Sequence, residues 1–239
     1  MYATNWLLGR LEVYDIIINA MVDIWWYGQA CFKIKGKSAS LVCDPYSSDF
    51  TGLKSLKLDA NIVCITHSHQ DHNSADVVSG VEEGTSPFVI SGPGEYEISG
   101  VNIVGINSFH DDKQGAERGK NTIYLITVDD VNIVHLGDLG QKKLTQEQIE
   151  ELSVCDVLLI PVGGVYTIEA KDVPDIIAQI EPKVIVPMHY KIEGLKFDLA
   201  SVEGFLKVMG KENIEAQNKL SVSQDKLPEE PEIVLLEKQ

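Results

Sequence analysis

Positive charge is scarce in this chain. Lys and Arg number 20 against 36 Asp and Glu, a formal net charge of -16, and no stretch concentrates Lys or Arg. Binding along a nucleic-acid backbone needs a basic stripe, so no nucleic-acid partner is expected. Cysteine is also sparse. Cys31, Cys43, Cys64 and Cys155 form no CxxC pair. This excludes a disulfide framework and points to small buried hydrophobes in a reducing compartment, so a cytoplasmic location is expected. Long apolar runs are missing too. The opening MYATNWLLGRLEVYDIIINA lacks a basic start and is interrupted by Arg10, Glu12 and Asp15. It reads neither as a signal peptide nor as a membrane span. Residues 1–20 are expected to be an extension ahead of a natural start at Met21, with a single domain over 21–239. No linker or low-complexity segment divides that span.

What is present suits a globular α/β chain: 44% of residues are hydrophobic. Short β-like runs are expected at 22–27, 31–34, 40–43, 61–66 and 87–90, the last closed by the turn SGPGE. A short helix over 76–81 would be capped by Asn73 or Ser74. Further strands are expected at 101–106, 122–128 and 131–136, the last two joined by an Asp129-Asp130 turn. In the second half Thr145-Gln146-Glu147-Gln148 forms a capping box opening a helix to about Leu152. Helices are also expected at 171–180, with Pro174 in the first turn, and at 199–209. Strands at 157–162 and 184–186 and an edge strand at 233–236 complete the pattern.

The chemistry concentrates in THSHQDHN at 66–73. His67 and His69 stand at i and i+2, so in an extended segment both rings face one way. Asp71 and His72 follow after the chain must turn and can address a neighbouring site. Imidazole nitrogens and carboxylate oxygens suit Zn²⁺ and similar borderline metals. The chain has only six histidines, and further candidates follow apolar, strand-like runs: NIVCITH ends at His67, VNIVGINSFH at His110, VNIVHLGD at Asp138, KVIVPMH at His189. Strands finishing side by side would bring these residues to one sheet edge, where α/β sites commonly lie. His135 alternates to the opposite face from Asp138 and is read as structural or supporting.

Other positions keep two readings. Asp44 either supports a ligand from behind or forms the turn before Pro45. Arg118, Lys120 and Asn121 in GAERGKN either clamp a substrate phosphate or carboxylate or form a solvated loop. Gly163-Gly164 and Tyr166 either line a pocket, Tyr166 donating a hydrogen bond, or serve the turn alone.

HxHxDH followed by a later His, a Gly-Asp and a final His is similar to the metallo-β-lactamase superfamily. The segments WYGQACFKIKG, DPY, GPGEYEI, HDDKQGAERGKN, HLGDLG, PVGGVYTI and VPMHY resemble its bacterial branch of Zn-dependent hydrolases, related to the ascorbate-6-phosphate lactonase group. The resemblance implies an α/β fold, the four-layer αββα sandwich, with metals at one edge. It implies a first ion on His67, His69 and His110 and a second on Asp71, His72 and His189, with Asp138 bridging. Asp111 competes with His110 for the first set. Two Zn²⁺ per chain are implied; Mn²⁺ or Fe²⁺ suits the same ligands. The implied activity is hydrolysis of a small ester, lactone or phosphoester by a metal-activated hydroxide, with Asp71 orienting the water and accepting a proton. An iron-dependent sulfur oxidoreductase and a nucleic-acid phosphodiesterase are the alternatives. The expected partner is a small-molecule substrate, with no membrane; a homo-oligomer is left open.

Overall fold

A computed structural model of the chain describes residues 20–239. The expected extension over 1–20 lies outside the described residues except for Ala20. The first half runs β1 (Val22–Gly28), β2 (Cys31–Lys35), β3 (Ser40–Cys43), α1 (Ser48–Thr51), β4 (Leu58–Asp59), β5 (Ile62–Ile65), β6 (Val78–Ser79), β7 (Phe88–Ser91), β8 (Gly94–Ile98) and β9 (Val101–Phe109). The second half runs β10 (Lys120–Val128), β11 (Val131–His135), α2 (Gln146–Leu152), β12 (Val157–Pro161), α3 (Val173–Ile180), β13 (Val184–Met188), α4 (Val202–Val208), β14 (Leu220–Val222) and β15 (Glu232–Ile233). Two 3₁₀ turns, Ala75–Val77 and Gln224–Lys226, complete the series.

Two sheets carry the fold. One has the order β14-β1-β2-β3-β5-β7 and the other β15-β13-β12-β11-β10-β9-β8, with β4 and β6 forming a small separate ribbon. The period of two decides which side chains meet. In the first sheet Leu41, Cys43, Ile62 and Cys64 face a core shared with the second sheet. Val42, Val63 and Ile65 face outward into a second cluster with Tyr46, Leu53, Leu58, Val78 and Leu199. β3, β5, β12 and β13 are buried along their whole length, as strands covered on both faces must be. Leu152 of α2, Val173, Ile176 and Ile180 of α3, and Phe205 and Leu206 of α4 join the main core. Each such buried side chain contributes about 1.5–3 kcal/mol relative to exposure. The architecture is the α/β, αββα sandwich anticipated from the sequence.

Local chemistry explains the elements. Thr145 accepts from the Gln148 N–H while the Gln148 side chain reaches the Thr145 N–H, completing the capping box. Pro174 lies in the first turn of α3. Asp129 and Asp130 both take positive φ, 45° and 66°, the backbone of a type I′ hairpin turn, without glycine.

Three expectations change. The helix over 76–81 is a 3₁₀ turn followed by β6: Val78 and Ser79 pair with Leu58 and Asp59, and Asn73 spends its amide on the Ser68 carbonyl rather than on a cap. The SGPGE turn is short, and Gly94–Ile98 pairs antiparallel with β9. Leu220–Val222, in a stretch where no strand is expected from the sequence, adds an edge strand to β1, held by Lys219 and Ser221 on Asp23.

Candidate metal centre

Strand direction assembles the site. β9 and β11 both pair antiparallel with β10, and β11, β12 and β13 are mutually parallel. β9, β11, β12 and β13 therefore all end at the same edge. His110 follows β9, Asp138 lies just beyond β11 and His189 follows β13. The facing sheet contributes His67 just past β5, and the Thr122 N–H on the Thr66 carbonyl (2.9 Å) ties the two sheets there. The chain then turns, with the His72 N–H on the His69 carbonyl at 2.9 Å, so Asp71 and His72 address a second position.

Two sets of ligand atoms result, each confined within 4.8 Å: His67, His69 and His110; and Asp71, His72, Asp138 and His189. Asp138 is the hub. Its Oδ2 lies 3.2 Å from His110 Nε2, 3.3 Å from His72 Nε2, 3.4 Å from His189 Nε2 and 4.0 Å from His67 Nε2. One carboxylate oxygen cannot accept well-aligned hydrogen bonds from four rings at once. Ligands about 2.1 Å from a shared tetrahedral ion stand roughly 3.4 Å apart, close to three of these four distances. His72 Nε2 and Asp138 Oδ1 are buried with no hydrogen-bond partner, a costly state that a cation relieves. The residues present thus fit a metal.

Surrounding groups set the tautomers. Asp44, fully buried, accepts from His72 Nδ1 (2.8 Å), Thr66 N (2.8 Å) and Thr66 Oγ1 (2.7 Å). With Nδ1 donating, His72 presents the lone pair of Nε2 inward. Because Thr66 Oγ1 donates to Asp44, it accepts from His67 Nδ1 at 3.0 Å, freeing His67 Nε2 in the same way. His135 donates from Nε2 to the Ala30 carbonyl and accepts the Gly137 N–H on Nδ1. It belongs to neither ligand set and holds the turn before Asp138.

Electrostatics keep the set metal-ready. Burial, helped by the nearby His72, holds His67 down to about 3, and burial likewise lowers His69 and His189. Burial opposes ionisation of Asp71 and Asp138, but His72 pulls Asp71 down to about 2, and His189 with His72 holds Asp138 well below the carboxylate range. His72 is pushed the other way: burial lowers it, but Asp138, Asp71 and Asp44 raise it further. A proton there and a metal compete for the same lone pair.

Close backbone packing holds the ligands in place. A Cβ on Gly163 would stand 2.1 Å from the His189 carbonyl oxygen, and one on Gly140 would stand 2.3 Å from the His110 carbonyl carbon. Only glycine permits either approach.

The remaining candidates separate. Asp111 spends both oxygens on the N–H groups of Lys113, Gly115, Glu117 and Arg118, so it shapes the loop while His110 faces the cluster. Asn121 donates to Ser108 Oγ and the Leu136 carbonyl and accepts the Asp138 N–H; it fixes the Asp138 turn. Lys120 is exposed on β10 and outside the cavity lining. Arg118 and Tyr166 do line the cavity, about 470 Å³, together with His69, Asp71, His110, Asp138 and His189. Gln29 carried no signal in the sequence beyond the turn of WYGQACF. Its buried Nε2 donates to Asp71 Oδ2 at 3.3 Å, and its carbonyl accepts the His189 N–H.

Fold and cluster together define a metal-dependent hydrolase. The β-lactamase superfamily domain matches residues 23–189, and the chain belongs to that superfamily. It is 35% identical to a Thermotoga maritima protein described as a Zn-dependent hydrolase of the metallo-β-lactamase superfamily, over 91% of this chain and all of that one, with a TM-score of 0.73. A metal-dependent hydrolase of Thermoplasma acidophilum is 29% identical over 79% of this chain and 91% of its own length. A metallo hydrolase from Ignicoccus hospitalis, 21% identical over 85% of this chain and 99% of its own, shares the fold with a TM-score of 0.61.

Proposed function

We propose that this protein is a dinuclear zinc hydrolase of a small ester, lactone or phosphoester. The observation carrying the reading is the single Asp138 oxygen set among four imidazole nitrogens drawn from two ligand sets. His67, His69 and His110 would hold one ion and Asp71, His72 and His189 the other, with Asp138 placed between the two sets. Zinc is supported by the imidazole and carboxylate donors and by the description of the Thermotoga relative. The segments GPGEYEI and VPMHY favour the branch related to the ascorbate-6-phosphate lactonase group. Four buried free thiols support a reducing, cytoplasmic setting.

When bound, the metal pair supplies a water deprotonated near neutrality and a Lewis acid for the scissile oxygen. The chain supplies the rest. Asp44 and Thr66 hold His72 and His67 in the tautomers with Nε2 unprotonated. Gln29 steadies Asp71, which accepts a hydrogen bond from the attacking water and orients it. With its carboxyl held at about 2, Asp71 is a better orienting group than a proton store. Asn121 fixes the Asp138 turn by accepting the Asp138 N–H.

The test couples metal quantification, on protein purified without added metal, to a screen of esters, lactones and phosphodiesters. Two zinc ions per chain with hydrolysis are expected; iron filling the site without hydrolysis overturns the reading. His69 is exposed, so His69→Ala should keep the fold and lose hydrolysis. Full activity in that variant would refute the site.

A further inference from the structure

The walls of the cavity carry information that its metal-facing floor does not. Arg118 is the one cationic side chain among the described lining residues. Its N–H is anchored on Asp111 Oδ2 at 2.7 Å, and its guanidinium lies over the Tyr166 ring, 4.9 Å from the centroid. It makes no ion pair among the described residues, although the chain holds 36 acidic residues against 20 basic ones. A cation–π contact of this kind uses the charge and not the N–H donors, which leaves them available as a fork for an oxyanion. The same cavity is lined by Phe50 and Phe197, whose ring centroids are 5.1 Å apart. Phe50 is 40% exposed, so a large apolar side chain meets water at the entrance to a polar cluster. Apolar patches at such entrances gain from being covered.

We propose that the substrates are amphiphilic anions: esters or lactones with a carboxylate or phosphate-type group received by Arg118 and an apolar acyl or aryl group lying on Phe50 and Phe197. This rests on the hydrolytic reading of the metal centre. The oxygen of water bonds to the acyl carbon, the ester C–O bond breaks, and the departing alcohol takes up the proton. The cavity lies within the range of small-molecule sites, about 300–1,000 Å³, which suits a compact ester rather than a polymer.

The test uses the full, zinc-loaded chain. Phenyl acetate, 4-acetoxybenzoate and 4-acetoxyphenylphosphonate share one reacting ester and differ in charge, and methyl acetate lacks the ring. In the wild type kcat/KM is expected to favour one or both anionic esters over phenyl acetate about ten- to hundredfold, the effect of a charge-assisted hydrogen bond. The arm that responds tells carboxylate from phosphate-type substrates. Arg118→Ala is expected to erase that ratio through KM. Arg118→Lys should restore part of it, and Lys113→Ala, in the same loop but outside the cavity, should leave it intact. Phe197→Ala should reduce the advantage of aryl acetates over methyl acetate. Calorimetric binding of benzoate and phenylphosphonate, compared between wild type and Arg118→Ala, reads the same contact without turnover. A wild type indifferent to charge, or anion binding unchanged in Arg118→Ala, overturns the proposal. Failure to hydrolyse these esters together with the lactones and phosphodiesters of the wider screen overturns the hydrolytic reading instead, and the calorimetric comparison then decides Arg118 on its own.

Discussion

Asp44 is not among the residues lining the metal-site cavity and yet governs the ligand atoms. It accepts three hydrogen bonds in a fully buried position, with its own backbone at a φ of 45°, a conformation uncommon outside glycine and one that Asp tolerates better than most residues. Asp44→Asn keeps the volume but turns an N–H₂ toward either His72 Nδ1 or Thr66. Facing His72, that amide demands a lone pair on Nδ1, so the ring proton moves to Nε2 and blocks the ligand position. We predict that zinc affinity of the Asp71–His72–His189 set falls about 10- to 100-fold, read by competition with a chromophoric chelator. Unchanged affinity would remove Asp44 from this role. Gln29 acts at the same scale on Asp71.

At the scale of elements, strand ends meet because the backbone lets them. β12 delivers Gly163 against the His189 carbonyl, and the turn after β11 delivers Gly140 against His110. Where space is free, Gly→Ala stabilises by about 0.4–1 kcal/mol through the unfolded chain. Gly163 has ordinary φ but no space, so the sign should reverse. We predict that Gly163→Ala destabilises by more than about 2 kcal/mol, measured by urea unfolding, and weakens metal binding with it. A neutral or stabilising result would mean that the His189 turn yields easily. A milder effect is expected at the capping box: Thr145→Ala should cost about 1 kcal/mol and leave metal content unchanged.

The whole molecule carries a net charge of -16, and its response to acid follows from its histidines. His67, His69, His135 and His189 have lowered pKa values in the folded chain, His67 at about 3. The unfolded chain takes up protons near about 6.5 that these rings refuse. Stability is therefore highest above that pH and is lost as pH falls toward the folded values. His72, with a raised pKa, acts oppositely, favouring the folded state at low pH and losing that contribution as pH rises. That contribution is already complete below about pH 6.5 and is lost only above it, so the lowered rings set the slope below, and urea midpoints of metal-free protein should fall between about pH 6.5 and pH 4; flat midpoints would contradict the desolvation of these rings. The thiols give an independent check. Cys31, Cys43 and Cys155 are buried with raised pKa values, and Cys64 is buried beside Cys43. No thiol should react with a disulfide reagent until the chain unfolds.

Local information in the sequence was enough for much of this. Alternation in VDIWWYG and VNIVGINSF marks β1 and β9, Thr145 and Gln148 mark the start of α2, and the order of His and Asp after apolar runs marks the ligand types. These depend on neighbours a few residues away. Short pairings such as β6 with β4 and β14 with β1 escape notice, because two or three residues carry no period and their stability comes from a distant partner. The choice between His110 and Asp111 rests on loop closure alone: both side chains suit a metal, and four backbone N–H groups claim Asp111. Gln29, Asn121 and Arg118 are ordinary polar residues until long-range packing brings the first to Asp71, the second to the Asp138 turn and the third to the cavity wall. The sequence by itself determined which atoms can bind a metal. Only the tertiary structure decided which of them meet, because convergence is a property of strand direction and inter-sheet contact.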